Sequence, residues 1–151
     1  MAEPSKRAST ARTSTKRASM MPAAPKAPTT IDPTAVIADK AILTGTFPIT
    51  IQGKAVLNPH SKVVSNAGPV HLAEGVIVWE KAVVGFAADS ALPSQACLLE
   101  RNVVIETGAV VEAKLVGEGT IIESFAFIGA GAEIGKVFCI LYAQSYCTNL
   151  R

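Results

Sequence analysis

The sequence has only two histidines, His60 and His71, and that scarcity narrows the chemistry at once. A zinc site built from three imidazoles needs three per site, and the three interface sites of a homotrimer of this chain would have only two each. Three cysteines, Cys97, Cys139 and Cys147, stand at irregular spacing, which makes neither a disulfide framework nor a zinc pattern. A reducing cytosol is the simplest compartment for them. No apolar run approaches the roughly 20 residues that a membrane-spanning helix needs. Asn-Gly and Asp-Gly hairpin turns are absent, which argues against an ordinary antiparallel sandwich. No phosphate-cradling glycine loop occurs either; GAGAEIG is accounted for below by repeat corners. Aromatics are scarce at 5%, with Trp79 the single tryptophan.

Acidic residues are almost missing from one end. Residues 1–30 hold Lys6, Arg7, Arg12, Lys16, Arg17 and Lys26 against Glu3 alone, a net +5, while residues 31–151 carry 8 Lys/Arg and 11 Asp/Glu, a net −3. The first segment is rich in Ser, Thr, Ala and Pro and has almost no large aliphatics, so it reads as a disordered basic tail. It shares its Arg/Ser richness with mitochondrial presequences, but prolines at 4, 22, 25 and 28 interrupt any helical face. KRAS occurs twice in it, and basic residues ahead of serine make Ser9 and Ser19 candidate phosphorylation sites. The tail suits acidic protein surfaces or anionic lipid better than nucleic acid, since no aromatics interleave its charges.

What the body does have is a period of six. From Ile31 the series runs Ile37, Leu43, then Ile51, Leu57, Val63, then Leu72, Val78, Val84, then Leu99, Ile105, Val111, and finally Val116, Ile122, Ile128, Ile134. Sixth neighbours in an α-helix point 120° apart and form no stripe, whereas in extended chain they face one side. A single strand of that length is not credible, so the chain must consist of short strands separated by corners, each sending one aliphatic inward. That is the hexapeptide form of a parallel β-helix. The extra residues fall so that the positions group in threes, giving about five to six triangular coils. Small or β-branched residues two places earlier, such as Ala55, Ser61, Ala82, Val103, Ala109 and Ala126, share the inward face. Lys114 breaks that rule where the spacing is one residue short, and a bulge is expected there. The phase defines a domain over 31–136 with a loop inserted at 85–97, followed by an atypical segment 137–151.

The residue before each inward aliphatic points outward. On one face these are Val36, Val56, Ile77, Val104 and Ile121, with Trp79 beside them. β-branched residues suit strands wherever they occur, but a continuous apolar strip on a soluble protein marks a partner surface. Val36, Val56, Ile77, Trp79, Val104 and Ile121 are therefore the candidate interface. A second face presents Ile42, Lys62, Val83, Val110 and Phe127, and the third is mixed, with Thr50, His71, Leu98 and Leu115.

The hexapeptide fold hosts acyltransferases with a histidine base and zinc-dependent carbonic anhydrases, so fold alone leaves an enzyme, or the inactive relative of one, as an alternative. His60 and His71 fall near a corner and after the Ala67-Gly68-Pro69 kink, as surface residues would. The recurring Glu100, Glu106, Glu112, Glu118 and Glu123 read as solvated surface. No catalytic residues, metal ligands or cofactor are expected.

Three stretches carry a resemblance. ADKAILTGTFPITI is similar to the opening coil of fungal members of the dynactin subunit 6 family. VLNPHSKVVSNAGPV resembles that family's aliphatic–x–Pro segment leading to an Ala-Gly-Pro kink. VGEGTIIESFAFIGAGAEIG resembles its later coil around Ile-Glu-Ser. The resemblance covers about residues 31–136 and fails over VFCILYAQSYCTNLR, where Phe138 takes a small-residue position. It implies an all-β, single-stranded left-handed parallel β-helix without catalytic activity, in the cytoplasm and on the cytoskeleton. The implied partners are dynactin subunit 5, the pointed-end actin-related protein and the large pointed-end subunit. Dynein and cargo adaptors would be reached indirectly, through microtubule transport.

Overall fold

The computed structural model of the chain describes residues 27–86 and 95–141. Ser9, Ser19, Cys147, most of the basic segment, most of the insertion and the last ten residues lie outside the described residues. Every described element is a short strand. The first coil is β1 (Thr29–Ile31), β2 (Val36–Ile37) and β3 (Ile42–Gly45); the second is β4 (Ile49–Ile51), β5 (Val56–Leu57) and β6 (Lys62–Ser65). The third is β7 (Val70–Leu72), β8 (Ile77–Val78) and β9 (Val83–Phe86); the fourth is β10 (Cys97–Leu99), β11 (Val104–Ile105) and β12 (Val110–Val111). The fifth is β13 (Leu115–Val116), β14 (Ile121–Ile122) and β15 (Phe127–Ile128), and β16 (Glu133–Ile134) and β17 (Cys139–Ile140) begin a sixth.

Each strand pairs in parallel with its equivalents one coil above and below, which makes three sheets. Sheet A is β1-β4-β7-β10-β13-β16, sheet B is β2-β5-β8-β11-β14-β17, and sheet C is β3-β6-β9-β12-β15. The chain is a parallel β-helix. Its ladder is regular: the amide of Val36 donates to Ala55 at 2.8 Å, that of Val56 to Val76 at 2.8 Å, and that of Ile77 to Val103 at 2.9 Å.

The interior column follows the hexad phase. Ile51, Leu57, Val63, Leu72, Val78, Val84, Leu99, Ile105, Val111, Val116, Ile122, Ile128 and Ile134 are all buried. The first coil differs because, among the described residues, no coil stacks above it. Ile31 is 44% exposed, and Ile37 and Leu43 are only partly buried. The phase fixes the direction of a side chain but not whether anything covers it.

Three features go beyond the phase. First, Ile49, Val70 and Cys97 fill the small-residue positions two places before Ile51, Leu72 and Leu99, and Phe86 belongs to neither series, yet all four are fully buried. They stand where residues are inserted between sheets C and A, so these coils have a wider section to fill. Burial pushes the Cys97 thiol up to about 12, which leaves it protonated at neutral pH. In the folded protein iodoacetamide is therefore expected to alkylate exposed Cys139 and spare Cys97, with mass spectrometry finding Cys97 labelled only after unfolding. Second, the amides of Lys114 and Leu115 both donate to Ala132, at 2.9 and 3.3 Å, so two residues oppose one. This is the expected bulge; it sends Ala113 inward and leaves Lys114 outside. Third, the ladder runs past Lys136. Ile140, six residues after Ile134, is buried, and β17 pairs with β14. Phe138 occupies the small-residue position with its side chain half-buried against the core.

Corners demand left-handed backbone. Lys54, His60, Lys81, Asn102, Phe125 and Val137 all have positive φ. Val137, at φ 59° and 81% exposed, is the costliest of them, because a β-branched side chain crowds the left-handed region. Val137→Gly is expected to stabilise the fold by about 1 kcal/mol in urea unfolding.

Candidate partner interface

The six candidate residues all sit on sheet B or its edge. Register pairs Val36 with Val56, Val56 with Ile77, Ile77 with Val104, and Val104 with Ile121. Cys139 extends the row below Ile121. With strands about 4.8 Å apart, the six-residue row is roughly 24 Å long. It is most open towards its ends, with Val36 at 61%, Ile121 at 40% and Cys139 exposed, while Val56, Ile77 and Val104 are half-buried by their neighbours in the row. The ladder holds these side chains in a fixed flat array, which suits a rigid surface of similar shape.

Trp79 lies one residue beyond Val78, where sheet B turns the corner towards sheet C, and is 45% exposed. Two further aromatics on this side were not among the candidates. Phe125, 64% exposed with φ 62°, stands at the same corner two coils below Lys81, and Phe127, 40% exposed, faces outward from sheet C. The signal for Phe125 was present in the sequence: a bulky aromatic fills a corner position where the coil above has Gly108. A Cβ on Gly108 would lie 2.7 Å from the Phe125 ring, so the glycine leaves the ring its place.

Sheet A is a different kind of surface. His71 lies mid-strand on β7, and its Nε2 is 3.2 Å from Gln52 Nε2, so the imidazole accepts there from the Gln52 amide. His60 sits at a corner after β5, on another side of the helix. Among the described residues no three His, Cys, Asp or Glu side chains gather as a metal-binding set. Between sheets A and B the corners carry exposed ion pairs, Lys54 with Glu74 at 2.7 Å and Lys136 with Glu118 at 3.4 Å. Hydrogen bonding to Lys54 holds the Glu74 carboxyl below its ordinary value and raises the Lys54 ammonium. Both groups are in open solvent, where such pairs add little to stability.

No family model matches the chain. The chain is similar to dynactin subunit 6 of Xenopus tropicalis, 30% identical over 105 residues that cover 66% of this chain and 51% of the frog protein. It is also similar to dynactin subunit 6 of Danio rerio, 28% identical over 88 residues, covering 54% of this chain and 45% of the fish protein. The chain resembles dynactin subunit 6. It spans about half the length of these curated relatives. The hexad phase alone would give similarity to any hexapeptide-repeat chain, but both relatives carry the dynactin subunit 6 name. No described helix is long and apolar enough to cross a membrane.

Proposed function

We propose that the chain is a non-catalytic structural subunit of a dynactin pointed-end assembly. In this reading sheet B pairs with dynactin subunit 5, next to the pointed-end actin-related protein and the large pointed-end subunit. Through that assembly the chain supports dynein-driven transport and the engagement of adaptors and cargo, in the cytoplasm and on the cytoskeleton. The observation that carries the reading is the outer row Val36–Val56–Ile77–Val104–Ile121 on a chain whose relatives are dynactin subunits. A flat apolar strip that the core does not use is what a neighbouring subunit would cover. His60 and His71 lie on different sides of the helix and do not share a site within one chain.

The test is purification of the tagged chain from cells, with mass spectrometry of what accompanies it. Recovery of dynactin subunit 5 with other pointed-end subunits is the expected result. Recovery of no dynactin component, together with carbon dioxide hydration by the zinc-supplemented protein, would replace this reading with the enzyme one.

A further inference from the structure

The edge where sheet B meets sheet C is an exposed aromatic ridge with uncompensated negative charge. Trp79 and Phe125 stand on it at 45% and 64% exposure, and Phe127 faces outward beside it on sheet C. Phe125 is held there in left-handed backbone, which an aromatic residue rarely adopts. By register, Glu106 and Glu123 stack below Trp79 in the same column, and Glu80 follows Trp79 in sequence. Ser124 donates to Glu106 through its amide at 3.2 Å and its hydroxyl at 2.9 Å, and the Cys139 thiol lies 3.5 Å from Glu123. None of the four ion pairs among the described residues includes Glu80, Glu106 or Glu123. With Asp39 the edge carries four carboxylates; Lys40 and Lys81 stand among them and exposed Lys62 lies in Phe127's own column, which leaves one net negative charge, concentrated at the Glu106–Glu123 end where no lysine stands. Aromatic faces interleaved with carboxylates bind guanidinium and ammonium groups through cation–π contact and charge together.

We propose that this ridge is the docking site of the chain's own basic segment, Lys6–Arg17. That segment carries Lys6, Arg7, Arg12, Lys16 and Arg17 with no acidic residue, so its charge complements the ridge. Reach permits it. Ala27, buried at the rim of the first coil, is where the preceding 26 residues join the helix. The ridge at Phe125 lies four coils down, about 19 Å, and one side of the triangle across, at most about 20 Å. Ten residues from Arg17 to Ala27 span up to roughly 33 Å, which covers the diagonal. Because the segment is tethered, its local concentration is of millimolar order and a weak contact suffices. Phosphates on Ser9 and Ser19, each about −1.5 to −2 in charge, would cancel most of its positive charge and release it.

Trp79 is the only tryptophan and so reports directly on the ridge. Its emission and acrylamide quenching would be measured on the full chain in low salt, against a full-length variant with Lys6, Arg7, Arg12, Lys16 and Arg17 changed to serine. The proposal expects Trp79 to be shielded in the unaltered chain, with the quenching constant rising about twofold in the variant and equally in 1 M salt, where screening acts over about 3 Å. A Glu80→Gln/Glu106→Gln/Glu123→Gln chain should match the tail variant, and combining the two sets should add nothing. A synthetic peptide of residues 4–19 should restore shielding to the tail variant and not to the glutamine chain. Identical quenching of the unaltered chain and the tail variant would overturn the proposal. Shielding that vanishes on dilution would also overturn it, since the occupant would then be a second copy. No partner subunit enters the experiment, so its outcome is separate from that of the proposed function.

Discussion

Replacing Phe86 with alanine is expected to lower the unfolding free energy by about 3–5 kcal/mol, as large-to-small changes at buried aromatics do. Phe86 is fully buried at the end of β9. Register places Gly45 and Ser65 at its position in the two coils above. Those smaller residues leave room for the Ser65 hydroxyl, which donates to the Phe47 carbonyl at 2.7 Å. In the third coil the section is wide, and the next coil takes a shorter path through the bulge at Lys114. The phenyl ring fills that step, and neither the ladder nor the glycines beside it can close around a void. Gly85 shows how closely the coils approach here: at φ 99° any Cβ would collide with the Val64 carbonyl. Urea unfolding measures the effect, with Phe86→Leu as the milder control at about 1–1.5 kcal/mol. A loss below about 1 kcal/mol for Phe86→Ala would show that the coil step is not held by this side chain.

Ile77→Glu is expected to leave the fold intact and to weaken binding of dynactin subunit 5 by more than about 30-fold, the effect of disrupting one central interface residue. Ile77 sits mid-row between Val56 and Val104 on sheet B, pointing away from the core. Its half-burial comes from those neighbours, so a carboxylate there can turn into solvent in the free chain, at a cost of about 1 kcal/mol or less. In a complex the same carboxylate would be dehydrated against apolar side chains without a counter-ion. Thermal unfolding separates the two effects: an unchanged transition with lost binding supports the sheet B surface, and a collapsed transition places Ile77 in the fold's own stability instead.

Much of this architecture was written in the spacing of residues. A period of six admits only short strands turning corners, and the buried column from Ile51 to Ile134 follows from that phase. Residues in the inserted stretches were not legible in the same way. Alternation turns Ile49, Val70 and Cys97 inward, two places before Ile51, Leu72 and Leu99, but their bulk at a small-residue position and the burial of Phe86 belong to coils that extra chain widens, which hexad counting does not register. Ile140 kept the phase, yet Val137 and Phe138 disguised it by placing bulk where corners and small residues were expected. Alternation along strands fixed the outward set Val36, Val56, Ile77, Val104 and Ile121, since each precedes an inward aliphatic. What covers that row is a property of a second surface, which one sequence does not contain. Phe125 escapes the strand pattern because a corner residue belongs to neither the inward nor the outward series.

Photo-crosslinking tests the sheet B surface most directly. A benzoylphenylalanine at Val104, mid-row on sheet B, is compared with one at Thr50, in the outward row of sheet A, each incubated with dynactin subunit 5. Crosslinks from position 104 and none from position 50 are the predicted result. Crosslinks from position 50 alone would contradict it and move the partner to another side of the helix.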